Sequence, residues 1–185
     1  YKGGIRLIEV TFSADKQNDN ETAHKIKLLS EEFNGKMYVG AGTVLTEKQV
    51  QLSKDAGAMF IISPDTCTDV IKKTRELNMV SIPGALTPSE IRAAHDSGAD
   101  FIKIYPIISM GPQYIKALNG PFGNIDFLAV GGIDENNISE YIDAGVSGFG
   151  IGANIINKKM IKEKDWDALE ALANKYCTLT GEYKK

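Results

Sequence analysis

Apolar residues along this chain of 185 residues gather into short β-rich runs at 5–10, 37–42, 59–63, 80–83, 101–105, 127–130 and 148–151, most starting about 21 to 26 residues after the one before. Between them the pattern changes to the three- and four-residue recurrence of a helix, over 21–33, 46–56, 68–77, 89–97, 112–118 and 136–144, with a last helix over 165–176. Punctuation supports these bounds. Thr46 with Gln49, and Thr87 with Pro88 and Glu90, have the makeup of capping boxes, in which side chains satisfy free N–H groups of a first helical turn. Gly57, Gly98 and Gly145 stand where helices should end, because glycine enters the left-handed conformation there without steric cost.

Strands that read as apolar on both faces and alternate with helices must be parallel and covered, in an open doubly wound sheet or a closed barrel. So regular a repeat favours the (β/α)8 TIM barrel. Tyr1-Lys2-Gly3-Gly4 reads as a helix end running into a strand, so a first strand and most of a first helix are expected to be missing from the sequence, which would make seven strands eight. One domain is expected over 1–185, with 178–185 as a loosely ordered tail.

Composition narrows the partners. With a net charge of −3, both signs interspersed and no basic block, there is no electrostatic footprint for nucleic acid or an anionic membrane surface. No apolar run approaches the roughly 18 residues needed to cross a bilayer, and no leader is recognised, so a cytoplasmic protein acting on a small metabolite is expected. Cys67 and Cys177 lack metal-site or redox spacing and read as ordinary thiols.

In a barrel, alternate strand residues face the interior and chemistry collects at the strands' C-terminal ends. Lys103 stands between Ile102 and Ile104; if those two face the helices, the lysine faces the interior. Desolvation there disfavours the ammonium and supplies a neutral amine able to attack a ketone. A lysine snorkelling to water, or paired with a carboxylate, accounts for the same pattern. Glu9, in Leu7-Ile8-Glu9-Val10-Thr11, is the candidate carboxylate, either as acid/base catalyst with a pKa raised by burial or as a salt-bridge partner of Lys103. The glycine-rich turns around Gly131 and Gly132, and around Gly152 and Ala153, lead from the last two strands toward helices, where backbone N–H groups can approach a phosphate. Thr43 has inward parity and a hydroxyl for a substrate carboxylate, although turn formation is an equal use. Pro83 would line the site at a strand end where no N–H is needed. His24 and His95 fall on helices, and with no cluster at ligand spacing no metal site is expected.

Taken together, Ile8-Glu9-Val10-Thr11, Val39-Gly40-Ala41-Gly42-Thr43-Val44-Leu45, Ile82-Pro83-Gly84, Phe101-Ile102-Lys103-Ile104-Tyr105-Pro106, Gly111-Pro112-Gln113-Tyr114-Ile115-Lys116-Ala117-Leu118 and Ala129-Val130-Gly131-Gly132-Ile133 resemble the class I aldolases of 2-keto-3-deoxy-6-phosphogluconate, 2-keto-3-deoxy-6-phosphogalactonate and 4-hydroxy-2-oxoglutarate. The resemblance covers nearly the whole chain. It implies Lys103 as the Schiff-base lysine and Glu9 as the general acid/base. It places Thr43, Pro83 and Tyr105 by the substrate and Gly131, Gly132, Gly152 and Ala153 in the phosphate loops. It also implies a cytoplasmic homotrimer acting on a phosphorylated 2-keto acid without metal or cofactor. The chain departs from the gluconate enzymes at Ser13, where they commonly have a basic residue, at Val130, where they have threonine, and at Ala153, where they have serine. Val130 and the stretch from Gly111 to Leu118 look more like the galactonate-type relatives. Two other readings are a sugar-phosphate epimerase and a phosphate-binding barrel without aldolase activity.

Overall fold

The computed structural model, which describes residues 1–13 and 18–181, alternates strand and helix along the chain. Each apolar run forms strand: β1 (Leu7–Thr11), β2 (Tyr38–Gly42), β3 (Phe60–Ile62), β4 (Val80–Ile82) with β5 (Gly84–Ala85), β6 (Ile102–Ile104), β7 (Phe127–Val130) and β8 (Gly148–Gly150). Pro83 does not end the fourth run, as its sequence suggests, but divides it. Proline has no N–H for the ladder, and extended chain resumes beyond it as β5.

Seven helices match the expected stretches or their centres: α1 (Asp19–Glu32), α2 (Glu47–Asp55), α3 (Thr68–Glu76), α4 (Pro88–Asp96), α5 (Pro112–Asn119), α6 (Ile138–Asp143) and, last in the chain, α8 (Trp166–Gly181). A short helix α7 (Lys158–Glu163) and a 3-10 turn (Ile107–Ser109) are additions to the expected set. Local chemistry explains the boundaries. The Thr87 hydroxyl accepts from Glu90 N while the Glu90 carboxylate accepts from Thr87 N at 2.7 Å, completing the capping box that opens α4. At the other ends, Gly57, Gly98 and Gly145 follow α2, α4 and α6 with φ near +90°.

The chain divides into two compact units, Arg6–Ile104 and Tyr1–Ile5 with Tyr105–Lys185. In the first unit, β1 to β4 pair in parallel and in chain order, with Leu7 opposite Tyr38, Glu9 opposite Gly40 and Thr11 opposite Gly42. β5 pairs in parallel with β6, setting Gly84 opposite Lys103. The outer faces of these strands and the apolar stripes of the helices form one core that includes Ile26, Val39, Ala41, Val50, Ile61, Val70 and Met79. Each large aliphatic side chain fully buried in this way stabilises the fold by about 1.5–3 kcal/mol relative to exposure. Such packing fixes the strand ends that carry the site.

In the second unit β7 and β8 pair in parallel. The chain's first residues pack on α8 so closely that a Cβ on Gly3 would lie 2.6 Å from the Ala173 Cβ. Residues 178–181, expected to begin a loose tail, are instead helical: Tyr176 is buried, and the Thr180 hydroxyl donates to the Tyr176 carbonyl at 3.0 Å. The rest of that expected tail, 182–185, lies outside the described residues.

Candidate active site

Lys103 is the central residue of β6. Its neighbours Ile102 and Ile104 are buried against the helices, whereas Lys103 lies on the opposite face and is partly accessible. Its backbone N–H donates to the Pro83 carbonyl at 2.9 Å, which ties the lysine to the break between β4 and β5. Burial pushes the Lys103 amine below the ordinary value of 10.5, and the negative charge of Glu9 partly offsets this.

Glu9 lies on β1, whose faces alternate: Ile8 and Val10 pack toward the core, and Leu7, Glu9 and Thr11 take the accessible side. The expectation of a strand buried on both faces therefore fails for β1, whose alternate residues Leu7, Glu9 and Thr11 are exposed. Even so, burial raises the Glu9 carboxyl above 4.5, against the opposing pull of the Lys103 charge. A side chain lining a concavity meets water in one direction and protein in the others, so it is accessible and still poorly hydrated. Both groups are thus moved toward their neutral forms, each restrained by the other's charge.

Thr43 follows the last residue of β2 and has φ of +55°. A β-branched residue is strained in that left-handed region, and such strain collects at functional sites. Immediately before it, Gly42 leaves the space into which the Glu9 carboxylate fits. Within the unit Arg6–Ile104, Glu9 in the middle of β1 and Lys103 in the middle of β6 feel each other's charge, Glu9 fits against Gly42, next to Thr43 at the end of β2, and Lys103 is hydrogen-bonded to Pro83 after β4.

The remaining candidates belong to the other unit. Gly131 and Gly132 follow β7 with φ of +95° and +82°. A Cβ on Gly131 would come within 3.2 Å of the Tyr105 ring, and one on Gly132 would come within 2.6 Å of the Ile108 Cβ. Tyr105 therefore lies against the turn after β7, with 42% of its surface exposed. Gly152 and Ala153 follow β8 in a turn where the Gly152 carbonyl accepts from Ile155 N and Ile156 N. This turn does not feed a helix directly, as expected; α7 begins only at Lys158, capped by the Asn157 side chain.

Two asparagines that the sequence did not single out hold these turns. The Asn137 amide donates to the Gly132 carbonyl at 2.8 Å, and the Asn154 amide donates to the Ile133 carbonyl at 2.7 Å, joining the turn after β8 to the turn after β7. Asp134 caps the chain into α6 by accepting from Asn136 N and Asn137 N. His24 and His95 lie on α1 and α4, and among the described residues no group of three or more His, Cys, Asp or Glu is placed to hold a metal ion.

An amine and a carboxyl held toward neutrality on parallel strands of one unit are the chemistry of the class of Schiff-base enzymes. The profile of the KDPG and KHG aldolases matches residues 1–172. The 2-dehydro-3-deoxy-6-phosphogalactonate aldolase of Escherichia coli is 32% identical over 160 residues, which cover 86% of this chain and 78% of that protein. The 2-dehydro-3-deoxy-phosphogluconate aldolase of Haemophilus influenzae is 32% identical over 173 residues, covering 92% and 78%. Among solved structures, the KDPG aldolase of Legionella pneumophila, with pyruvate captured as a covalent carbinolamine, superposes with a TM-score of 0.83 at 29% identity, covering 94% of this chain and 82% of that one. The chain belongs to the KDPG and KHG aldolase family, and its fold is the (β/α)8 barrel that the repeat predicts.

Proposed function

We propose that this protein is a class I aldolase that cleaves 2-keto-3-deoxy-6-phospho-sugar acids to pyruvate and glyceraldehyde 3-phosphate, and 4-hydroxy-2-oxoglutarate to pyruvate and glyoxylate. The observation that carries the proposal is the pairing of Lys103, held toward its neutral amine, with Glu9, held toward its protonated acid.

Lys103 Nζ attacks C2 of the keto acid to give a carbinolamine. Glu9 delivers a proton to the departing hydroxyl, and loss of water leaves a protonated imine. The Glu9 carboxylate then takes the C4 hydroxyl proton. The C3–C4 electron pair moves into the imine, releasing the aldehyde and an enamine. Protonation of the enamine at C3 and hydrolysis of the imine return pyruvate and free Lys103. Thr43 would hold the substrate carboxylate, Pro83 and Tyr105 would line the site, and Gly131, Gly132, Gly152 and Ala153 would receive the phosphate through backbone N–H groups. No step needs a metal or cofactor. The resemblance also supports a cytoplasmic homotrimer. Among the described residues no helix is long and apolar enough to cross a membrane.

The test is pyruvate release, followed by a coupled dehydrogenase, from the two C4 epimers of the phosphorylated substrate and from 4-hydroxy-2-oxoglutarate. Turnover of at least one supports the proposal and ranks the substrates. A folded protein that binds them without releasing pyruvate overturns it in favour of a binding barrel or an epimerase.

A further inference from the structure

β2 presents three residues on the face it shares with Glu9: Tyr38, Gly40 and Gly42, the last two without side chains. Each glycine leaves room for a neighbour. Over Gly40, which is Glu9's partner in register, lies the ring of Phe60, and a Cβ at Gly40 would overlap that ring. At Gly42, one pleat repeat further on, a Cβ would lie 2.7 Å from the carboxyl carbon of Glu9 and closer still to Oε2. Real Cβ contacts do not fall at such distances, so a methyl group at residue 42 and the Glu9 carboxyl in its present position are mutually exclusive. Gly42 is not among the glycines with positive φ, so its backbone does not require glycine. It is glycine for space alone, and the occupant of that space is the acid/base carboxyl.

We infer that Gly42 is a positioning residue for catalysis: by lacking a side chain it seats the Glu9 carboxyl where it exchanges protons with the substrate. The inference rests on the reading of Glu9 as the acid/base. Alanine is sterically allowed by the backbone at residue 42, so Gly42→Ala displaces Glu9 without an imposed backbone rearrangement. Shortening residue 9 by one methylene, in Glu9→Asp, vacates the disputed space. The two substitutions should therefore be coupled.

The experiment is a double-mutant cycle over Gly42→Ala and Glu9→Asp, reading kcat and KM for pyruvate release, the pH profile of kcat, and melting temperature. With Glu9 in place, Gly42→Ala should lower kcat by about tenfold to a hundredfold, the usual effect of moving a catalytic group by about 1 Å. KM should change little and the acid limb of the profile should move. In the Glu9→Asp background the same substitution should cost less than about threefold, because the carboxyl no longer competes for the space. Equal losses in both backgrounds, or no loss in either, overturn the inference. If Gly42→Ala does not fold, Glu9→Ala combined with it decides the matter: recovered melting confirms that the conflict is with residue 9, and continued unfolding refutes it. Glu9→Ala alone tests the underlying reading separately. Full activity in that variant removes Glu9 from the mechanism, whatever Gly42 does.

Discussion

A lysine whose charged form is disfavoured leaves a pH signature that an ordinary surface lysine does not. Only the neutral amine attacks a ketone, so the rate of imine formation with pyruvate should rise with pH and reach half its maximum below the ordinary lysine value of 10.5. The Glu9 carboxylate stabilises the ammonium, so its removal moves the Lys103 pKa down, not up. In Glu9→Gln, the midpoint of imine formation should therefore fall to lower pH than in the unmodified protein, while cleavage slows by about 10²- to 10⁴-fold through loss of the acid/base. An unchanged midpoint would mean that the two groups do not act on each other. These two residues are legible in the sequence because charged side chains inside apolar strand runs need a reason to be there. Thr43 is legible only as a hydroxyl at a strand end. Its left-handed backbone, with φ of +55°, is announced by no local pattern. Gly42 is invisible for the opposite reason: what marks it is a neighbour on another strand.

At the scale of elements, the turns after β7 and β8 act as a pair because Asn154 spans them. Removing its amide leaves the Ile133 carbonyl without that donor and frees the turn after β8. A hydrogen bond of this kind contributes about 0.5–1.5 kcal/mol, so Asn154→Ala should raise KM for the 6-phosphorylated substrate by roughly twofold to tenfold. It should leave KM for unphosphorylated 4-hydroxy-2-oxoglutarate within about twofold. Equal changes for both substrates would show that the bond serves general stability and not the phosphate. The glycines of these turns can be found from sequence because tight turns call for them; Asn154 cannot, since its partner is 21 residues away. Capping boxes and terminal glycines bound their helices closely. Helix α7 escapes the sequence pattern because it is six residues of mixed charge without an apolar stripe, although Asn157, which caps it, is a signal that can be read.

For the whole molecule, the repeat of strand and helix is enough to name the barrel, since few architectures accept parallel strands at so even a spacing. The extended chain beyond Pro83 and the accessible face of β1 are not legible in that repeat, because Gly84-Ala85 is too short to make a run and the repeat does not show which face of a strand meets water. The same is true of assembly: if the chain forms the homotrimer that the resemblance implies, sedimentation equilibrium should give three times the mass of the 20.1 kDa chain, and a monomer or dimer would contradict this.

The central claim concerns one covalent bond. Pyruvate and borohydride should attach a reduced three-carbon adduct to the protein, and peptide mass spectrometry should place it on Lys103. In Lys103→Arg, confirmed as folded by circular dichroism, the adduct should be absent. An adduct on a different lysine, or none on a folded protein, would contradict the Schiff-base mechanism.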